Sequence, residues 1–144
     1  EERPPVRIDR GAVVEDSMIT DGSIICAGAR VVRSVLSPGV FVGPNAVVRD
    51  SVILTDSYIE RDALIERAVI DKGVVVGQGA HVGEITVLGD LAIACIGKNS
   101  TVPPRFTVER GCVLGVDLRA DEVAAEFPSG VIPANSRVSY RLAR

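Results

Sequence analysis

Aromatic side chains make up 3% of the chain, three Phe and two Tyr with no Trp, and there is one His in 144 residues. A core built around large rings is therefore excluded. The 47% hydrophobic share rests on Val, Ile and Ala, and small and β-branched side chains of this kind suit strands rather than a mixed α/β enzyme core. One His excludes a three-His metal site by count, so no resident metal or cofactor is expected. Cys26, Cys95 and Cys112 form no Cys-x-x-Cys pair, and their odd number argues against a complete disulfide framework. They read as three buried thiols in a reducing cytosol. Sixteen basic against nineteen acidic residues give a net charge of −3 with no basic run, so nucleic acid is not an expected partner. No apolar run reaches membrane-spanning length and no signal peptide opens the chain, so a cytoplasmic protein without a membrane partner is expected. The glycines occur singly, so no phosphate-cradling loop is present. The start, Glu1-Glu2-Arg3-Pro4-Pro5, reads as a polar linker with further chain before it.

What the chain has in abundance is repetition. Steps of seventeen residues connect Ile8, Ile25, Val42, Ile59 and Val76. A second column runs Val14, Val31, Val48, Ile65, Val82, and a third Ile19, Leu36, Ile53, Ile70, Val87. Within a repeat the spacings are six, five and six, which places an inward aliphatic residue three times per turn of a triangular coil. Four places after the first column stand Ala12, Ala29, Ala46, Ala63 and Ala80. Gly11, Gly28, Asn45, Asp62 and Gly79 precede them, residue types that tolerate positive φ and so mark a corner. Gly22, Gly39, Asp56 and Gly73 mark a second corner, and Ser17, Ser34, Ser51 and Ala68 a third, tighter one. A two-sheet sandwich would need hairpin dipeptides between antiparallel strands, and the one candidate, Asp21-Gly22, falls on a corner. The pattern predicts an all-β fold, a left-handed parallel β-helix of the hexapeptide-repeat type, with strands stacked at about 4.8 Å.

Regularity fails after Val82, where an insertion or bulged rung is expected near 84–95, and hexapeptides resume at Ile96. The segment 118–127 has high helix propensity, a stop at Pro128 and a stripe of Leu118, Val123 and Phe127, which suits a short helix capping the open end. The expected organisation is a linker and first rung over 1–9, the β-helix over 8–117, and a helix with a C-terminal strand or tail over 118–144.

His81, in "GQGAHVG", is the one candidate general base. Its position in the hexapeptide is comparable to those of Ile24, Val47 and Leu64, and no carboxylate motif accompanies it, so an outer-face strand residue is the plainer reading. Asp121 and Glu122 read as a solvated helix face.

From "RGAVVEDSMITDGSIICAGARVVRSVLSPGV" through "RAVIDKGVVVGQGAHVG" the chain resembles the carboxy-terminal β-helix of glucose-1-phosphate adenylyltransferase, the ADP-glucose synthase of glycogen and starch formation. The resemblance covers residues 10–83 well, and "FPSGVIP" near the end more weakly. It implies a separate amino-terminal catalytic domain that binds ATP, glucose 1-phosphate and Mg²⁺, so no catalytic residue is carried over to this chain. It also implies tetramer assembly and a share in a sugar-phosphate effector pocket, with Arg137 and Arg141, followed by Arg144, in the comparable place. The residues leave two other functions open: a stand-alone hexapeptide acyltransferase using His81, and a structural oligomerisation module of a non-catalytic regulatory subunit.

Overall fold

A computed structural model describes residues 2–84 and 92–140. Over these the three columns become the inward edges of three parallel sheets, and the chain is an all-β left-handed β-helix with one short helix. The first face has six strands, from Arg7–Ile8 to Thr101–Val102. The second has seven, from Val13–Glu15 to Val131–Ile132, and the third seven, from Met18–Ile19 to Arg137–Val138. Ile25 lies beside Val42 and Val42 beside Ile59, so each strand pairs with its own copy seventeen residues on. The pairing is parallel because successive strands on a face run the same way around the axis, and the rest of the rung serves as the crossover.

The core follows from this register. Ile25, Val42, Ile59 and Val76 on one edge, Val31, Val48, Ile65 and Val82 on the next, and Leu36, Ile53 and Ile70 on the third are all 0% exposed. Ala29, Ala46, Ala63 and Ala80 are buried with them. Ile8, expected inward, is 49% exposed because its strand is the edge of the first face among the described residues.

Two of the three corners turn where the sequence places them. The residues from Gly11 to Gly79 have φ between +60° and +88°, and those from Gly22 to Gly73 between +61° and +79°. At the third corner the positive φ belongs to the residue before each expected one: Asp16, Arg33, Asp50 and Arg67, at +45° to +48°. The serines have another task there. Ser34 Oγ donates to the Val32 carbonyl at 2.8 Å and accepts the Ser51 N–H at 3.1 Å; Ser51 Oγ donates to the Arg49 carbonyl at 2.7 Å and accepts the Ala68 N–H at 3.1 Å. Each hydroxyl thus satisfies one backbone group of its own rung and one of the next. Ser51→Ala strips the buried Ala68 N–H of its partner and is expected to lower stability by about 1–3 kcal/mol. An unchanged urea midpoint would show that the hydroxyl ladder contributes nothing.

Ile70 pairs with Ile96, a step of twenty-six residues in place of seventeen, so nine extra residues lie between these two strands, in the region where an insertion is expected. Val87 lies outside the described residues, and Ile96 takes the next place in its column. The following step, from Ile96 to Leu114, is eighteen residues, as six-residue hexapeptides require. Val108 to Ile132 spans twenty-four, and this longer connection holds the helix, Ala120–Glu126. The helix packs against Thr101–Val102 with Leu118 and Val123 buried and Phe127 against the core. Asp121 and Glu122 suit the positive end of its dipole, and Glu122 Oε1 accepts the Arg119 N–H at 3.3 Å. The expected cap is therefore shorter than 118–127 and closes only the first face, since the chain returns to add Val131–Ile132 and Arg137–Val138 to the other two.

The three thiols are not all buried. Cys26 and Cys112 are, and burial raises the pKa of both, but Cys95 sits half-buried on the outward side of the third face beside Val113.

Candidate functional site

Strand alternation turns Val82 inward and His81 outward, so His81 stands on the second face in a row with Leu64 below it and Thr107 above. Val47 and Arg30 continue that row downward, whereas Ile24, expected as a counterpart, belongs to the first face. Glu66 lies two residues past Leu64 and therefore on the same outward side, one rung below His81. Its Oε1 is 3.0 Å from His81 Nε2. The expectation that His81 lacks a carboxylate partner is thus corrected. The signal was available, because Glu66 precedes His81 by fifteen residues, one rung less one alternation.

The pair is half-sheltered, with the Glu66 side chain 14% and that of His81 36% exposed. Arg49, directly below Glu66, brings Nη1 to 3.9 Å from Oε2. In the tautomer that carries its proton on Nε2, the His81 N–H donates to the Glu66 carboxylate and Nδ1 is left with a free lone pair. Such an arrangement can remove a proton from an attacking hydroxyl or amine.

The other candidate residues are not gathered here. Arg137 is exposed in the last strand of the third face beside Val113, and Arg141 lies outside the described residues. The clefts on the surface belong to other places. One of about 320 Å³ surrounds the stacked rings of Phe41 and Tyr58, 4.2 Å apart, with Arg61 and Gln78 on its wall. Another lies under Arg3, whose Nη1 is 2.7 Å from Asp56 Oδ1 and holds that carboxyl below its ordinary pKa. A third runs between Met18 and Val35 and is edged by Asp16 and Arg33. Arg33 Nε is 2.7 Å from Asp50 Oδ1, which lowers the Asp50 pKa in the same way. His81 lines none of these. Among the described residues no three His, Cys, Asp or Glu side chains gather to hold a metal, and no helix is long and apolar enough to cross a membrane.

Residues 6–88 match the family model described as GlmU-like, C-terminal hexapeptide. Among solved structures the chain is similar to the acetyltransferase domain of PglB from Neisseria gonorrhoeae, at 28% identity over 81% of this chain and 52% of that one, with a TM-score of 0.45. It is similar to the GDP-perosamine N-acetyltransferase of Caulobacter crescentus at 17% identity, over 94% of this chain and 51% of that one, with a TM-score of 0.46. The UDP-N-acetylglucosamine acyltransferase of Campylobacter jejuni matches at 12% identity over 81% of this chain and 66% of its own, with a TM-score of 0.38. The chain spans about half the length of the first of these solved chains. No curated protein matches the sequence.

Proposed function

Since the chain belongs to the GlmU-like, C-terminal hexapeptide family, whose members are transferases, we propose that it serves as the carboxy-terminal assembly and regulatory domain of a sugar-phosphate nucleotidyltransferase, glucose-1-phosphate adenylyltransferase. The support for this enzyme in particular is the resemblance over residues 10–83. The observation that carries the assembly role is the outer surface of the third face. Met18, Val35, Val52, Val69, Cys95 and Val113 form an outward row of six uncharged residues that ends at Arg137 on the last rung, and its uncharged stretch is suited to another protein surface rather than to a phosphorylated sugar. In this reading ATP, glucose 1-phosphate and Mg²⁺ are handled by another domain of the whole protein. The copies form a tetramer, and Arg137 and Arg141 contribute to an anionic sugar-phosphate effector site.

A second reading, acyl transfer, is favoured by the 3.0 Å contact between His81 and Glu66. His81 would take the proton from a sugar hydroxyl or amine as that group attacks an acyl thioester; the new C–O or C–N bond replaces the C–S bond, and the imidazolium returns the proton to the departing thiolate. The two readings part on His81→Ala in the whole protein. The first predicts ADP-glucose formation at the wild-type rate. The second predicts acetyl transfer from acetyl-CoA to a sugar nucleotide that falls about 10²–10⁴-fold in the variant. Acetyl transfer lost with His81, without ADP-glucose formation, would replace the first reading by the second.

A further inference from the structure

The apolar row of the third face has a charged border whose order carries information. The corner leading into this face holds Asp16, Arg33, Asp50 and Arg67 on four successive rungs, an alternation of sign along one edge. Asp16 and Arg33 edge the same groove as Met18 and Val35, so border and row form one surface. On its apolar part Met18 is 66%, Val35 39% and Val52 36% exposed, while at about 4.8 Å per rung the six-residue row runs about 24 Å. No second element of the described chain covers it, the helix being packed on the first face.

We propose that this face packs against the same face of a second copy with the two solenoids antiparallel, an inference that rests on the assembly reading above and names its partner. The border selects this arrangement. With the two-fold axis along the strand direction, between the rungs of Val35 and Val52, the border meets its own reversed copy: Asp16 faces the partner copy's Arg67 position and Arg33 its Asp50 position, so every acidic group meets a basic one. A shift of the axis by half a rung, onto Val35, sets Arg33 against Arg33 and Asp16 against Asp50. With the axis turned along the solenoid, the border meets instead the opposite edge, Asp21, Pro38, Thr55 and Lys72, which has no alternation to match. In the selected register Met18 meets Val69 and Val35 meets Val52, which covers the exposed part of the row. A strip this narrow is small beside a standard interface of about 800 Å² per partner, so the affinity of the isolated chain should lie in the micromolar range.

The test is sedimentation of the 144-residue chain and its charge-reversed variants. Wild type is expected to dimerise with rising concentration, and Val52→Glu to weaken the dimer at least tenfold. Arg33→Asp and Asp50→Arg, each alone, set like charges opposite one another and are also expected to remain monomeric. Mixed one to one they are expected to form a heterodimer, because the Asp placed at 33 then meets the Arg placed at 50. The mixture separates contacts between copies from the 2.7 Å ion pair within one copy, which stays broken in both variants. Both side-chain types already occupy this corner at positive φ, so each variant is expected to fold, as its melting curve can verify. A wild-type chain monomeric up to about 1 mM, or a mixture that associates no more than its components, would overturn the proposal. ADP-glucose formation by the whole protein is read separately, so loss of either result leaves the other standing.

Discussion

Ile53→Ala is expected to lower the stability of the chain by about 2–5 kcal/mol, or roughly 5–15 °C in melting temperature. Ile53 is 0% exposed at the middle of the third face, with Leu36 in register below and Ile70 above. A shortened side chain leaves a space whose walls are strands tied on both sides by backbone hydrogen bonds, such as Ser37 N–H to the Ile53 carbonyl at 2.9 Å and Leu54 N–H to the Ile70 carbonyl at 2.8 Å. Neither wall can close in without breaking its ladder, so the cavity term adds to the lost transfer energy. The adjacent Val52→Ala, on the outward side, is expected to move stability by no more than about 0.5 kcal/mol. Calorimetry on the two variants checks this. Equal melting temperatures would show that alternation along this strand has been assigned to the wrong faces.

Gly83→Ala is expected to have an effect of similar size for a different reason. Gly83 has φ +77°, which strains any side chain, and an added Cβ would overlap the Glu66 carbonyl oxygen and lie 3.1 Å from its carbon. These are backbone atoms of a paired strand, so no side-chain rotation relieves the contact. Strain of about 1–3 kcal/mol and overpacking of about 1–3 kcal/mol together give roughly 2–6 kcal/mol. Gly130→Ala supplies the control, because its φ is +80° but nothing lies within 4 Å of the added carbon. It should show the strain alone. Denaturation midpoints that are the same for the two variants would mean that the rungs separate at Gly83 more easily than the structure implies.

The inward half of this molecule was legible in its sequence, and the outward half much less so. A column such as Val31, Val48, Ile65 is readable because only apolar residues are tolerated at 0% exposure, and Asn45 or Asp62 betrays a corner by its tolerance of positive φ. Arg33 and Arg67 betray nothing of the kind, since arginine is not a residue that turn rules place at φ +45°. Turn chemistry therefore points to the serines beside them, whose hydroxyl ladder holds the corner without being the residue that turns. Glu66 and His81 do not stand out as a pair because neither belongs to an apolar column, although the repeat length alone sets them one rung apart. Loss of the alanine column marks the region of the insertion, but its nine residues become countable only with Ile70 beside Ile96. The return of the chain after the helix had no periodic signal, because a twenty-four-residue step matches no other rung.

The most direct measurement of the central claim is the formation of ADP-glucose from ATP, glucose 1-phosphate and Mg²⁺ by this chain alone and by the whole protein that contains it. The account predicts no product from the chain alone. It predicts synthesis by the whole protein that a bisphosphorylated sugar activates, with the activation weakened when Arg137 and Arg141 are both replaced by Ala. A whole protein that makes no ADP-glucose would contradict it.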